Sequence, residues 1–117
     1  MKDSILFTKS KSFALRVVRL YKYLREHKES VIAKQMLRAG TSIGANIAES
    51  RYAQSKADFA SKLQIALKEA SETEYWLALL RDAELVESGP AFDSICDDIS
   101  ELLRLLTASV KTAKADA

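Results

Sequence analysis

Proline occurs once in this chain and glycine three times. That scarcity leaves few sites for tight turns and favours helices over a turn-rich β architecture. One cysteine, Cys96, is present, so no internal disulfide can form, and this usage suits a reducing cytoplasm. The single histidine, His27, cannot supply the paired Glu-x-x-His motifs of a ferritin-like di-metal site. No glycine loop of the kind that cradles phosphate occurs. No apolar run approaches the 18 or so residues of a membrane span, so no membrane partner is expected. Lys2 and Asp3 precede Ile5-Leu6-Phe7, but polar residues resume at Thr8, so no secretory leader is expected.

What is present has the balance of an ordinary soluble globular protein, 48% hydrophobic and 29% charged over 117 residues. That length suits a single domain, 1–117, with one core. Four helical segments are predicted, over residues 4–28, 31–51, 55–82 and 90 to about 110–112. In the first, Phe13, Val17, Leu20, Tyr21 and Leu24 recur at three and four residues, and Arg16, Arg19, Lys22 and Glu26 take the other side. Leu15 and Val18 are left among or beside the charges. Ser30 is a candidate cap for the second helix.

Along the second helix Ile32, Met36, Ala39, Ile43, Ile47 and Ser50 share a face at about 100° per residue. Leu37, Gly40, Gly44 and Ala48 form an adjoining small-residue flank where another helix can approach closely. Arg38, Asn46 and Glu49 interrupt the apolar length, so this is no membrane dimerisation motif. Ser55 with Asp58 three residues on is a capping-box-like start for the third helix. There Phe59, Leu63, Ala66, Leu67, Ala70 and Leu77 form the main face, while Ile65, Trp76 and Leu79 fall nearly opposite. A second apolar patch predicts a second packing partner, so a homo-oligomer is expected with Leu15, Ile65, Trp76 and Leu79 as candidate interface residues. Ser88-Gly89-Pro90 punctuates the chain before a fourth helix with the period Phe92, Ile95, Cys96, Ile99, Leu102, Leu103, Leu106, Val110. The tail from Lys111 to Ala117 is expected to fray. Short connections between four helices predict an all-α, antiparallel up-down-up-down bundle.

Charge is unevenly spread. Residues 1–40 hold ten Lys/Arg against three Asp/Glu, a net of +7, whereas residues 41–117 net −5. Either an anionic partner is bound, or the first helix attracts the acids of the fourth, Asp93, Asp97, Asp98 and Glu101. Arg16, Arg19, Lys22, Arg25, Lys34 and Arg38, with Tyr21 and Tyr23 nearby, are candidates for tracking a phosphate backbone. Arg38, Ser42, Asn46 and Glu49 form a polar stripe, read either as a contact surface or as a hydrogen-bonded network; the network is preferred. His27 sits at a helix end as a solvated or C-capping residue, and Cys96 lies on an apolar face as a buried, inert thiol. Glu69 and Glu72 are read as solvent-facing or inter-subunit groups. No catalytic residue, metal ligand or cofactor site is identified, and no enzyme activity is expected.

The run Gln35-Met36-Leu37-Arg38-Ala39-Gly40-Thr41-Ser42-Ile43-Gly44-Ala45-Asn46-Ile47-Ala48-Glu49, followed by Ser55-Lys56-Ala57-Asp58-Phe59 and Ala66-Leu67-Lys68-Glu69-Ala70, resembles a bacterial four-helix-bundle family. Its founding members are encoded in intervening sequences of large-subunit ribosomal RNA genes, and the accessory variability protein of diversity-generating retroelements is a relative. The likeness extends from about Phe13 to Val110. It departs at Gly44, where members often have Pro, and at Ser50, where they often have Gly. The resemblance implies an up-down bundle assembling into a homopentameric barrel, and a non-enzymatic protein. The retroelement relative binds its reverse transcriptase and nucleic acid. Two functions follow as expectations: an accessory protein binding RNA or DNA through a basic surface multiplied in an oligomer, or a scaffold docking a larger protein partner such as a reverse transcriptase.

Overall fold

The computed structural model describes residues 2–117, with side chains from residue 5 onward. Lys2 and Asp3, counted in the charge of the first forty residues, therefore have side chains outside the described residues. Among the described residues there are four helices and no strand: α1 Lys2–Glu26, α2 Val31–Ser50, α3 Lys56–Asp82 and α4 Pro90–Asp116. Helix packs on helix around a closed circuit, α1 on α2, α2 on α3, α3 on α4 and α4 back on α1, with no diagonal pair among the described residues. With connections this short, neighbours run antiparallel, and the bundle measures 45 × 21 × 19 Å.

The helix ends have distinct chemistry. At α3 the Ser55 hydroxyl accepts the Asp58 N–H at 3.0 Å, and the Asp58 carboxylate accepts the Gln54 N–H at 3.0 Å. The expected capping box is thus formed. At α2 Ser30 makes no side-chain cap; Glu29 takes the role, its carboxylate accepting the Ile32 N–H at 2.7 Å. A carboxylate there also faces the positive end of the helix dipole. Helices α1 and α3 close with the same device: the N–H of Glu29 reaches the Leu24 carbonyl at 2.8 Å, and that of Leu85 the Leu80 carbonyl at 2.9 Å. Each closure places a residue in the left-handed region, Lys28 at φ 65° and Glu84 at φ 59°.

The core agrees with the helical periods in most places. Phe13, Val17, Leu24, Met36, Ile43, Ile47, Leu77, Leu80, Ile99, Leu102 and Leu106 are fully buried. Thr73 is buried among them, its hydroxyl donating to the Glu69 carbonyl at 2.7 Å, which satisfies the polar atom it places in the core. Three expectations need correction. Residues 111–116 are helical rather than frayed, because Ala113 is buried and anchors the last turns. Cys96 is half-buried, not fully buried. Leu103 is likewise half-buried, packed against the edge of the core, and Leu102 and Leu106 carry the core line instead.

Candidate nucleic-acid interface

Helix α1 presents its cations in two directions. On the side facing α4, Lys9 pairs with Glu101 at 3.1 Å, and Arg16 bonds the Asp98 carboxylate and the Ser94 hydroxyl. These are the contacts expected if α1 and α4 attract each other. They engage only part of the basic set. Lys11, Arg19, Lys22, Arg25 and Lys34 are exposed and, among the described residues, none forms an ion pair. The Arg25 guanidinium lies 5.7 Å from the centre of the Tyr21 ring, a cation–π contact.

Beside them stands a stacked aromatic pair that the sequence pattern does not single out. The rings of Tyr23 and His27 are 4.0 Å apart with an interplanar angle of 27°. Nδ1–H of His27 donates to the Tyr23 carbonyl at 2.8 Å, closing one of the last carbonyls of α1 and holding the imidazole in place. The spacing of four residues on a helix is the signal that could have found it. Tyr23 also lines a cleft of about 340 Å³ between α1, the α3–α4 connection and the start of α4. Leu20, Val86, Phe92 and Ile95 supply its apolar wall, with Arg16, Arg19 and Glu87 at the polar positions.

The polar stripe of α2 divides into separate contacts. Arg38 bridges to α3, donating to Glu69 at 3.2 Å and to Glu72, and Glu72 also accepts Nε1–H of Trp76 at 2.9 Å. The Trp76 donor, then Arg38, hold the Glu72 carboxyl below its usual range; the Glu72 hydrogen bond is the first cause that raises Arg38. Asn46 donates to the Ser42 carbonyl at 2.9 Å within the helix. Glu49 accepts from Lys62 at 3.0 Å, which raises the lysine pKa. Asn46 thus bonds backbone and Arg38 pairs with acids, as the hydrogen-bonded reading expects, but Arg38 and Glu49 turn to separate partners on α3 and the four residues do not form one connected network.

The apolar candidates also separate. Leu15 is 49% exposed and Ile65 39%, whereas Trp76 and Leu79 are half-buried, Trp76 packing against the core. Burial pushes the Cys96 thiol pKa up, which disfavours the reactive thiolate. Among the described residues no three His, Cys, Asp or Glu side chains are grouped to hold a metal ion, and no helix is long and apolar enough to cross a membrane. A second cleft, about 600 Å³, opens at the other end of the bundle, where Arg51 and Lys56 border Leu6, Phe59 and Leu63. There the Arg51 guanidinium stacks 4.4 Å above the Phe7 ring.

Four helices in a closed antiparallel circuit, with a cation-rich first helix, define a small four-helix-bundle protein. The chain belongs to the family described as 23S rRNA-intervening sequence protein, whose family model matches residues 2–108. It is similar to a solved structure from Bacteroides thetaiotaomicron, a protein of unknown function from the S23 ribosomal protein family. The two are 54% identical, with 95% of this chain and 99% of that one covered and a TM-score of 0.90. No curated protein matches.

Proposed function

We propose that this protein is a non-catalytic accessory factor that binds nucleic acid, RNA or DNA, through the exposed cations of α1 and the start of α2. The observation that carries this reading is the division of charge on α1. Lys9 and Arg16 are engaged by α4, while Arg19, Lys22, Arg25 and Lys34 remain exposed without a described carboxylate partner. Attraction between α1 and α4 thus accounts for only part of the basic excess. Phosphate is the chemistry that the remainder suits.

One such patch binds weakly, and repetition in a homo-oligomer multiplies it. Leu15 on α1 and Ile65 on α3 are exposed on helices that do not touch each other, so the two apolar positions lie on different parts of the surface. Two unlike positions suit a heterologous contact, which closes into a ring when the rotation permits. The number five rests on family resemblance. Ile5 lies near the start of α1 and Leu15 just past its middle, one turn before Arg19, while Lys22 and Arg25 lie toward its end, so assembly and binding use adjoining stretches of one helix.

The test is a binding titration of the whole protein against single-stranded and duplex nucleic acid at two salt concentrations. Binding that weakens steeply with salt supports the reading. No binding at about 50 mM salt transfers the proposal to a protein scaffold, since a phosphate-driven complex is strongest when salt is low.

A further inference from the structure

We infer that the cleft beside Tyr23 receives an unpaired base of single-stranded RNA, with the Tyr23–His27 stack as its aromatic platform; this rests on the nucleic-acid reading above. Three observations converge on one place. The first is the stack itself, exposed at the end of α1, with ring centres 4.0 Å apart. His27 covers one face of the tyrosine ring, and its bond to the Tyr23 carbonyl holds the pair rigid, so little side-chain freedom is lost on binding. The second is the cleft, about 340 Å³, which lies within the size range of small-molecule sites, roughly 300–1,000 Å³. Its apolar wall of Leu20, Val86 and Phe92 is what a flat, weakly hydrated base would cover.

The third observation is charge. Arg19 lines the cleft and Lys22 is exposed on the next turn of the same helix, and neither has an ion-pair partner among the described residues. Arg16, the other cation in the cleft, is held by Asp98 and Ser94. A strand crossing α1 here would set phosphates against Arg19 and Lys22 while a base enters between Tyr23 and the apolar wall. Glu87, also in the cleft, can accept hydrogen bonds from an exocyclic amine or a sugar hydroxyl. A duplex keeps its bases stacked inside and cannot use such a platform, whereas unpaired bases with aromatic rings are the usual means of holding single strands.

The experiment compares the intact protein's affinity for two RNA strands of about 12 nucleotides at low salt, one carrying bases and one abasic throughout. Both strands present the same phosphates. The wild type is expected to bind the base-bearing strand about ten-fold more tightly. Tyr23→Ala should erase that preference, Tyr23→Phe should retain it, and Arg19→Ser should weaken both strands alike. Circular dichroism on each variant verifies the fold, which an exposed position should leave intact. Equal wild-type affinity for the two strands, or a preference that survives in Tyr23→Ala, overturns this inference while leaving phosphate-driven binding standing. Failure of both strands to bind overturns RNA binding itself, and the inference with it.

Discussion

Gly40 of α2 faces Val17 of α1 so closely that a Cβ at position 40 would lie 2.9 Å from Val17 Cγ2. Four residues on, a Cβ at Gly44 would meet the Ser10 carbonyl oxygen at 3.5 Å, an ordinary contact. Both glycines sit in a helix interior, where Gly is about 1 kcal/mol less favourable than Ala. Gly40→Ala is expected to destabilise the protein, by about 1–3 kcal/mol, because Val17 is fully buried and β-branched and must shift. Gly44→Ala is expected to leave stability unchanged or raise it by up to about 1 kcal/mol. Denaturant melts of the two variants check the pair, and equal effects would place the α1–α2 contact elsewhere.

Along α4, Leu106→Ala should cost about 2–5 kcal/mol, since the side chain is fully buried. Leu103→Ala should cost clearly less, because Leu103 is only half-buried. The order of the two unfolding midpoints tests the phase of the helix.

Assembly is best probed at exposed positions. Trp76→Glu would add a second carboxylate beside Glu72 and remove a side chain packed on the core, so lost assembly and lost fold would be confounded. Leu15→Glu and Ile65→Glu avoid this. Each is expected to lower the mass seen by light scattering while leaving helicity intact. A wild-type monomer at micromolar concentration would refute the oligomer.

Arg19, Lys22 and Arg25 replaced together by Ser should weaken nucleic-acid binding for every sequence alike, because phosphate contacts carry no sequence information. The log–log salt slope should flatten by roughly 0.7 for each single-strand phosphate that is no longer neutralised. Stability should fall by only about 1–2 kcal/mol, from lower helix propensity and the lost Arg25–Tyr21 contact, since none of the three has an ion-pair partner among the described residues. Arg16→Ser should instead cost up to about 1 kcal/mol through its partly exposed pair with Asp98.

Glu72 makes stability depend on pH. Its carboxyl is lowered first by the Trp76 donor and then by Arg38, so its contribution is present above the unfolded pKa of about 4.3 and is lost as pH falls through the lower folded value. Trp76→Phe removes the largest cause and should lift the Glu72 pKa. Its destabilisation relative to wild type should therefore shrink below about pH 4, by less than about 1 kcal/mol given the partial exposure. Melts from pH 7 to pH 3 check the sign; a constant gap would leave only packing as the role of Trp76.

Much of the architecture was decided locally. The apolar periods of α2, α3 and α4, the Ser55–Asp58 cap and Pro90 at the start of α4 specify helices whatever they pack against, because propensity and capping act within a few residues. The exceptions have a common origin. Lys111 to Ala117 lacks large apolar residues, and only contact with the rest of the bundle shows that Ala113 is buried. Lys28 and Glu84 adopt left-handed conformations with no glycine to signal them, because the hydrogen bonds to Leu24 and Leu80 impose the closure.

The surface was decided in three dimensions. A list of cations cannot separate Arg16, held by Asp98, from Arg19, which has no described carboxylate partner, since the partner lies 82 residues away on α4. Likewise Arg38 reads as a surface cation until α3 brings Glu69 and Glu72 to it. Side-chain period states which face a residue occupies on its own helix. Which carboxylate, ring or cleft that face meets depends on how neighbouring helices are rotated and shifted against it. Contacts such as that of Gly40 with Val17 set this rotation, and they exist only once the chain has folded.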